Sequence, residues 1–399
     1  MSAGVTFPAG FTAAGVSAGV KPSGAADLGL LVGAPGTSVA GLFTTNRVLA
    51  APVTLSRERI AAGRGTAVVV NSGQANAATG ERGVADARRI VEAAAAVAGI
   101  EGDDMLACST GVIGEPVHLS EVLEAMPALG AALGPDGGRA FADAIMTTDT
   151  VAKTAEASSG PYRMGGAAKG VGMISPNLAT MLAFVTTDAA VAPADLAGLA
   201  HDRLKPRFTA LTVDGCTSTN DTVLLFASGA AGQGPVGPAD RAWAALADAV
   251  EEVGAALAAQ LIRDAEGVTT VTLVEVEGAS SDGDARTIAK AVADSPLVKT
   301  AVFGSDPNPG RILQAVGASG VEVSPSLIDV WVGDTPVARG GVIPPAYFAA
   351  DGLRGSAERA MREPEVLLRV RVGEGPGRSR VLGCDLSYAY VEINGEYTT

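Results

Sequence analysis

The stretch Gly170-Val171-Gly172-Met173-Ile174-Ser175-Pro176-Asn177-Leu178-Ala179-Thr180-Met181-Leu182-Ala183-Phe184-Val185 changes character in its middle. Its first part carries the glycines and the proline of a loop, and the part from Met181 onward is an unbroken apolar run of the kind buried on both faces of a sheet. A glycine- and proline-bearing loop therefore runs directly into a buried strand. Such a loop can hold the Ala179 carbonyl against the Thr180 hydroxyl, the strained arrangement that an N-to-O acyl shift requires, and small Ala179 leaves that carbonyl accessible. A threonine that opens a strand is more often just a good β-former, so the residue pattern alone favours the ordinary reading.

Outward from this point the chain alternates β-rich and helical segments. Residues 28–31 and 67–70 read as strands and 84–98 as an alanine-rich helix, with a polar, small, turn-forming loop at 71–80. A long helix is predicted to start at Pro238, with Trp243, Leu246, Val250, Val253, Leu257 and Leu261 on one face. Asp264-Ala265-Glu266-Gly267 ends it, with Gly267 as its cap. Two further β-rich segments, 268–276 and 297–303, flank a shorter helix at 285–293. The fold class is α/β, with mixed sheets layered with helices. The run Gly232-Gln233-Gly234-Pro235-Val236-Gly237 follows a strand-like segment at 222–227 and matches a dinucleotide fingerprint. We reject it, because Pro235 removes an N–H that would face phosphate and the acidic residues about 20 positions on lie within a helix.

At 399 residues the chain exceeds the size at which one core keeps growing, so two lobes are expected. The 43 acidic against 29 basic residues give a net charge of −14, which repels phosphate backbones and anionic bilayers; neither nucleic acid nor membrane is an expected partner. No segment supplies the roughly 18 apolar residues of a membrane span, and the first residues lack the pattern of a secretory leader, so a cytoplasmic location is expected. Cys108, Cys216 and Cys384 lie far apart, form no metal-ligand spacing and read as buried structural thiols; no metal is expected. Only two histidines, His118 and His201, are present, and neither sits beside a nucleophile motif. A hydroxyl nucleophile here needs another base. The α-amine of an N-terminal threonine, with a pKa of about 7.7 to 8.0, is both available and adjacent.

Leu178-Ala179-Thr180-Met181-Leu182 resembles the self-cleavage site of the ornithine acetyltransferase family, also called glutamate N-acetyltransferase or ArgJ. Matching segments follow in order along nearly the whole chain: residues 71–80, Cys108-Ser109-Thr110-Gly111-Val112-Ile113-Gly114, Met146-Thr147-Thr148-Asp149-Thr150, Lys169-Gly170, 214–222, 264–267 and the tail from Gly383 to Thr399. The resemblance implies the family's ornithine acetyltransferase-type fold, cut between Ala179 and Thr180 into an N-terminal chain of 1–179 and a C-terminal chain of 180–399. The two pieces stay associated, in an assembly of two of each. It implies that Thr180 takes acetyl from N-acetylornithine, releasing ornithine, and passes it to glutamate, a step of the acetyl cycle in arginine biosynthesis. Thr110 and Gly111 match the family's oxyanion hole; Thr147, Lys169, Thr180, Glu266, Asn394 and Thr399 match its substrate contacts. No cofactor is implied, although the family's bifunctional members take acetyl-coenzyme A as an alternative acetyl donor.

Two departures stand out: the family usually has tryptophan where this chain has Pro309, and commonly lysine where it has Thr270. They keep open a paralogue acting on another amino acid in specialised metabolism and a non-catalytic amino-acid binder. Related self-cleaving threonine or serine enzymes that give the acyl group to water keep open a hydrolase or aminopeptidase.

Overall fold

A computed structural model describes residues 2–175, 181–349 and 352–396. The chain divides into two compact units, 1–209 with 216–264 and 399, and 210–215 with 265–398, in line with the two lobes expected from length. The chain passes between them at 209/210, 215/216 and 264/265.

Among the described residues of the first unit, nine strands run in the order β1 Phe11–Val16, β2 Leu28–Gly33, β3 Ser38–Phe43, β4 Ala67–Gln74, β5 Met105–Val112, β6 Lys153–Ser159, β7 Tyr162–Lys169, β8 Leu182–Thr187 and β9 Thr222–Ala227. They form two sheets, β1-β2-β4-β5 and β3-β9-β8-β7-β6, each mixing antiparallel pairs with one parallel pair, β4 with β5 and β8 with β9. The period-2 alternation of β2 and β4 explains the layering. Leu31, Val68 and Val70 join Phe184, Leu224 and Phe226 in a core between the sheets. Leu28, Leu30 and Val69 point the other way, onto the helices Gly80–Ala98 and Leu119–Ala131. The helix Trp243–Arg263 covers β6 and β7, with Val253 and Leu257 over Gly166. The order is helices, sheet, sheet, helix.

In the second unit β10 Val271–Ala279 pairs parallel with β13 Glu365–Arg371 and antiparallel with β14 Gly377–Cys384, while β11 Asp329–Val332 bridges β13 to β12 Thr335–Ala338. Val274, Val276, Val330, Val366, Leu368 and Val381 bury one face of this sheet with the helices Asp282–Asp294, Pro296–Phe303 and Pro309–Gly317.

Several local expectations are corrected. Residues 297–303 are helical, because Ser295 accepts the Val298 N–H at 3.4 Å and Pro296 sits at the first helical position, a start signal that outweighs the β-branched side chains. The long helix begins at Trp243 instead of Pro238, since Asp240 first closes a turn by accepting the Gly237 N–H at 2.7 Å. That helix ends at Arg263; Gly267, at φ +65°, lies beyond it and seats the tail, since a Cβ there would meet the Tyr390 nitrogen at 2.4 Å. The 71–80 loop starts later than expected, because β4 continues to Gln74 with the Asn71 side chain donating to the Gln74 carbonyl at 2.9 Å. Pro309 opens its helix under an Asn308 cap that accepts the Arg311 N–H at 3.2 Å, which gives the departure from tryptophan a local structural role.

Candidate active site

Three residues singled out in the sequence lie together in the first unit. Lys169 closes β7, Thr110 lies near the end of β5, and Thr147 follows the helix Gly138–Ala144. The Lys169 ammonium donates to the Thr147 hydroxyl at 2.8 Å and to the Thr110 hydroxyl at 3.1 Å. At 2% exposure Lys169 is no surface lysine. Because the Thr110 oxygen accepts from a cation, its own hydrogen is left to donate elsewhere, and the adjacent positive charge makes it a better donor.

A buried ammonium needs a carboxylate nearby, and Asp149 supplies it 4.0 Å away. Asp149 also accepts the Thr147 N–H at 3.0 Å, the Gly170 N–H at 2.8 Å and the Lys153 ammonium at 2.7 Å. Burial by itself raises this carboxyl, but the Lys169 and Lys153 charges and the Gly170 N–H outweigh it and hold Asp149 below the usual carboxylate range. Lys153, fully buried, reaches on to Asp264 at 2.6 Å. Asp149 thereby ties both ends of the site together, holding the main chain at Thr147 and at Gly170. Asp149 and Lys153 had no role assigned from sequence. Their spacing of four is a weak ion-pair signal, and the Asp264 partner, 111 residues away, is invisible to any local pattern.

Gly111 explains itself sterically. It stands opposite Gly73 in the β4–β5 register at φ +130°, and a Cβ there would lie 2.2 Å from the Gly73 carbonyl group. Only glycine lets the two strands close to this distance, so the strand end that carries Thr110 is rigid on this side. On the other side the Asn220 amide donates to the Ser109 carbonyl at 2.8 Å and the Ala75 carbonyl at 2.6 Å. The strand that follows Thr180 is also anchored: the Met181 N–H donates to the Asp221 carboxyl at 3.2 Å, and the Met181 carbonyl accepts the Thr222 N–H at 3.1 Å.

In the second unit the Asn394 amide donates to the Glu266 carboxylate at 2.8 Å and to the Tyr390 carbonyl at 3.0 Å. Glu266 and Asn394 are thus brought together. The Gly267 carbonyl accepts the Ser387 hydroxyl at 2.6 Å, pinning the tail helix Tyr388–Glu396 to the turn that carries Glu266. Thr270 donates its N–H to Asp385 at 3.1 Å. Ala179, Thr180 and Thr399 lie outside the described residues.

Burial pushes the Cys108 thiol up to about 12 and the Cys384 thiol up to about 11, so neither is a nucleophile at neutral pH. Cys216 is exposed, against the expectation that all three are buried; it follows the bend at 213–215, outside the named helices and strands. Among the described residues no cluster of His, Cys, Asp and Glu is arranged to hold a metal ion, and no helix is long and apolar enough to cross a membrane.

A hydroxyl backed by a buried ammonium, on a strand end fixed from both sides, is a donor of the kind that the oxyanion of an acyl transfer needs. The family model described as the ArgJ family matches residues 12–399. Arginine biosynthesis bifunctional protein ArgJ of Symbiobacterium thermophilum is 46% identical, over 100% of this chain and 99% of its own length. The protein of the same name from Geobacter sulfurreducens is 44% identical, over 98% and 99% respectively. Among solved structures, arginine biosynthesis bifunctional protein ArgJ from Bacillus halodurans matches with a TM-score of 0.50 and 38% identity, covering 54% of this chain and 98% of that one. The chain belongs to the ArgJ family.

Proposed function

We propose that the chain cleaves itself between Ala179 and Thr180 and then carries acetyl groups on Thr180, moving them from N-acetylornithine to glutamate in arginine biosynthesis. The observation that supports this reading is the Lys169–Thr110–Thr147 cluster, in which a buried ammonium backs the Thr110 hydroxyl and reaches Thr147. The freed Thr180 amine takes the proton of its own hydroxyl, Oγ attacks the acetyl carbonyl, and the tetrahedral oxyanion faces Thr110 and Gly111. Collapse breaks the C–N bond, the ammonium returns its proton to the departing amine, and ornithine leaves. The glutamate amine then attacks the acetyl-threonine ester through the same oxyanion site and restores the hydroxyl. Lys169 and Thr147 orient the polar groups of a bound amino acid; Glu266, Asn394 and Thr399 are the further substrate contacts that the resemblance implies, Glu266 being suited to an ammonium group.

The solved relative's chain is matched over 98% of its length by 54% of this one, close to the share that residues 180–399 make up. That supports two pieces, 1–179 and 180–399, and we infer an assembly of two of each in the cytoplasm. Relatives named bifunctional support acetyl-coenzyme A as a second donor to the same Thr180. The test is a transfer assay to glutamate from N-acetylornithine, run in parallel with acetyl-coenzyme A. N-acetylglutamate forms from the first donor and, in a bifunctional enzyme, from the second; release of acetate without transfer would make the chain a hydrolase instead.

A further inference from the structure

Asp221 is 0% exposed and stands at the entry to β9. Its carbonyl accepts the Thr44 N–H at 3.0 Å, and one carboxyl oxygen, Oδ1, accepts the Met181 N–H at 3.2 Å. Oδ2 has no hydrogen-bond partner among the described residues. Burying a carboxyl with an unused oxygen is costly, and such groups persist where they have work to do. Burial drives Asp221 well above the usual carboxylate range, against the Met181 N–H, the Ser218 hydroxyl, the Lys169 charge and the Thr44 hydroxyl, all of which favour its ionised form. The neighbouring Asn220 holds the carbonyl of Ser109, the residue before Thr110, so one short turn grips both the oxyanion strand and the strand that begins after the cut.

We propose that Asp221 is the positioning and proton-handling partner of Thr180, gripping the main chain just after the cut through Met181 and serving the Thr180 amine and hydroxyl with its second oxygen. This rests on the reading of Thr180 as nucleophile. Thr180 is the residue joined to the Met181 nitrogen that this carboxyl holds at 3.2 Å. In the acyl shift the Thr180 Oγ–H proton passes to the Asp221 carboxylate as the Oγ–C bond forms. It is then delivered to the departing nitrogen as the Ala179–Thr180 C–N bond breaks. Water splits the resulting ester into the Ala179 carboxyl group and the free Thr180 hydroxyl. During acetyl transfer the carboxylate stabilises the Thr180 ammonium that forms when Oγ attacks.

Asp221→Asn keeps an oxygen for the Met181 N–H and removes the proton acceptor. The rate of self-cleavage, followed by intact mass after rapid purification, is expected to fall about 100-fold or more, within the range of general acid–base catalysis. In the fraction that does cleave, the acidic limb of the kcat profile moves down by about one pH unit, because the amine has lost a neighbouring negative charge. If the Asn variant does not fold, Asp221→Ala with added formate replaces it, and recovery of cleavage with formate concentration is expected, a response that a merely structural residue would not give. Wild-type cleavage rates and an unshifted limb in Asp221→Asn, or an Ala variant indifferent to formate, would overturn the proposal. An intact but active wild-type chain would instead overturn the reading of Thr180 on which it rests.

Discussion

The Lys169 ammonium touches the Thr110 hydroxyl at 3.1 Å, linking the end of one sheet to the end of the other across the first unit. This contact makes Thr110 a donor with a charge behind it. Thr110→Ala is expected to lower kcat by about 100- to 1,000-fold with little change in KM, since the bond it offers is strongest to the transition state. Steady-state kinetics on the cleaved variant measure the split; a rise in KM at constant kcat would assign Thr110 to substrate binding instead.

Lys153 is the structural counterpart of Lys169. Lys153→Met leaves Asp149 and Asp264 buried without their shared cation and is expected to cost about 3–5 kcal/mol. Chemical denaturation monitored by circular dichroism reads this directly. Stability within about 1 kcal/mol of the parent would show that the carboxylates find other partners.

Gly111→Ala forces a Cβ into the Gly73 carbonyl at a backbone angle that favours glycine. The strands must separate, and both stability and transfer activity are expected to fall sharply, whereas Gly114→Ala, with open space around it, loses only what its positive φ costs, about 1–2 kcal/mol. Thermal melts of the two variants side by side check the contrast.

Asp149 contributes to the acid limb of stability. Its folded pKa lies below its unfolded one, so its contribution is present above the ordinary carboxylate range and is lost as pH falls through the folded value. Melting temperatures of the parent are expected to drop below about pH 4. Asp149→Asn starts lower at neutral pH and loses less on acidification. Parallel curves for the two proteins would remove Asp149 from this role.

Glu266 belongs to the second unit, with Asn394, and the peptide bond to be cut belongs by sequence to the first. Glu266→Gln is therefore expected to cleave normally and to show a KM for N-acetylornithine raised about 10-fold or more, the loss of one charged contact. Failure to cleave would mean that the residue is needed for folding.

The buried strands were legible because their apolar runs are long and unbroken: residues 28–31, 67–70 and 222–227 all fall in strands. Helix 243–263 was legible through its repeat of three and four, but its start was not, because Pro238 serves a turn that looks like a helix entry. Residues 297–303 carry strand-forming valines and a threonine, and only the Ser295–Pro296 cap distinguishes them as helix. At the site, Thr110, Thr147 and Lys169 were reached through resemblance, and their contact spans up to 59 residues of sequence. Asp149, Lys153 and Asp221 were missed for a physical reason. What marks them is burial and distant partners, and neither property leaves a local pattern.

The central claim is that Thr180 is freed by cleavage and carries the acetyl group. Intact-mass spectrometry of the purified chain, before and after incubation with N-acetylornithine, tests it most directly. The expected result is two pieces, 1–179 and 180–399, with one acetyl group appearing on the piece that begins at Thr180, and a single intact, inactive chain for Thr180→Ala. An active protein that remains one chain of 399 residues, with Thr180→Ala as active as its parent, would contradict it.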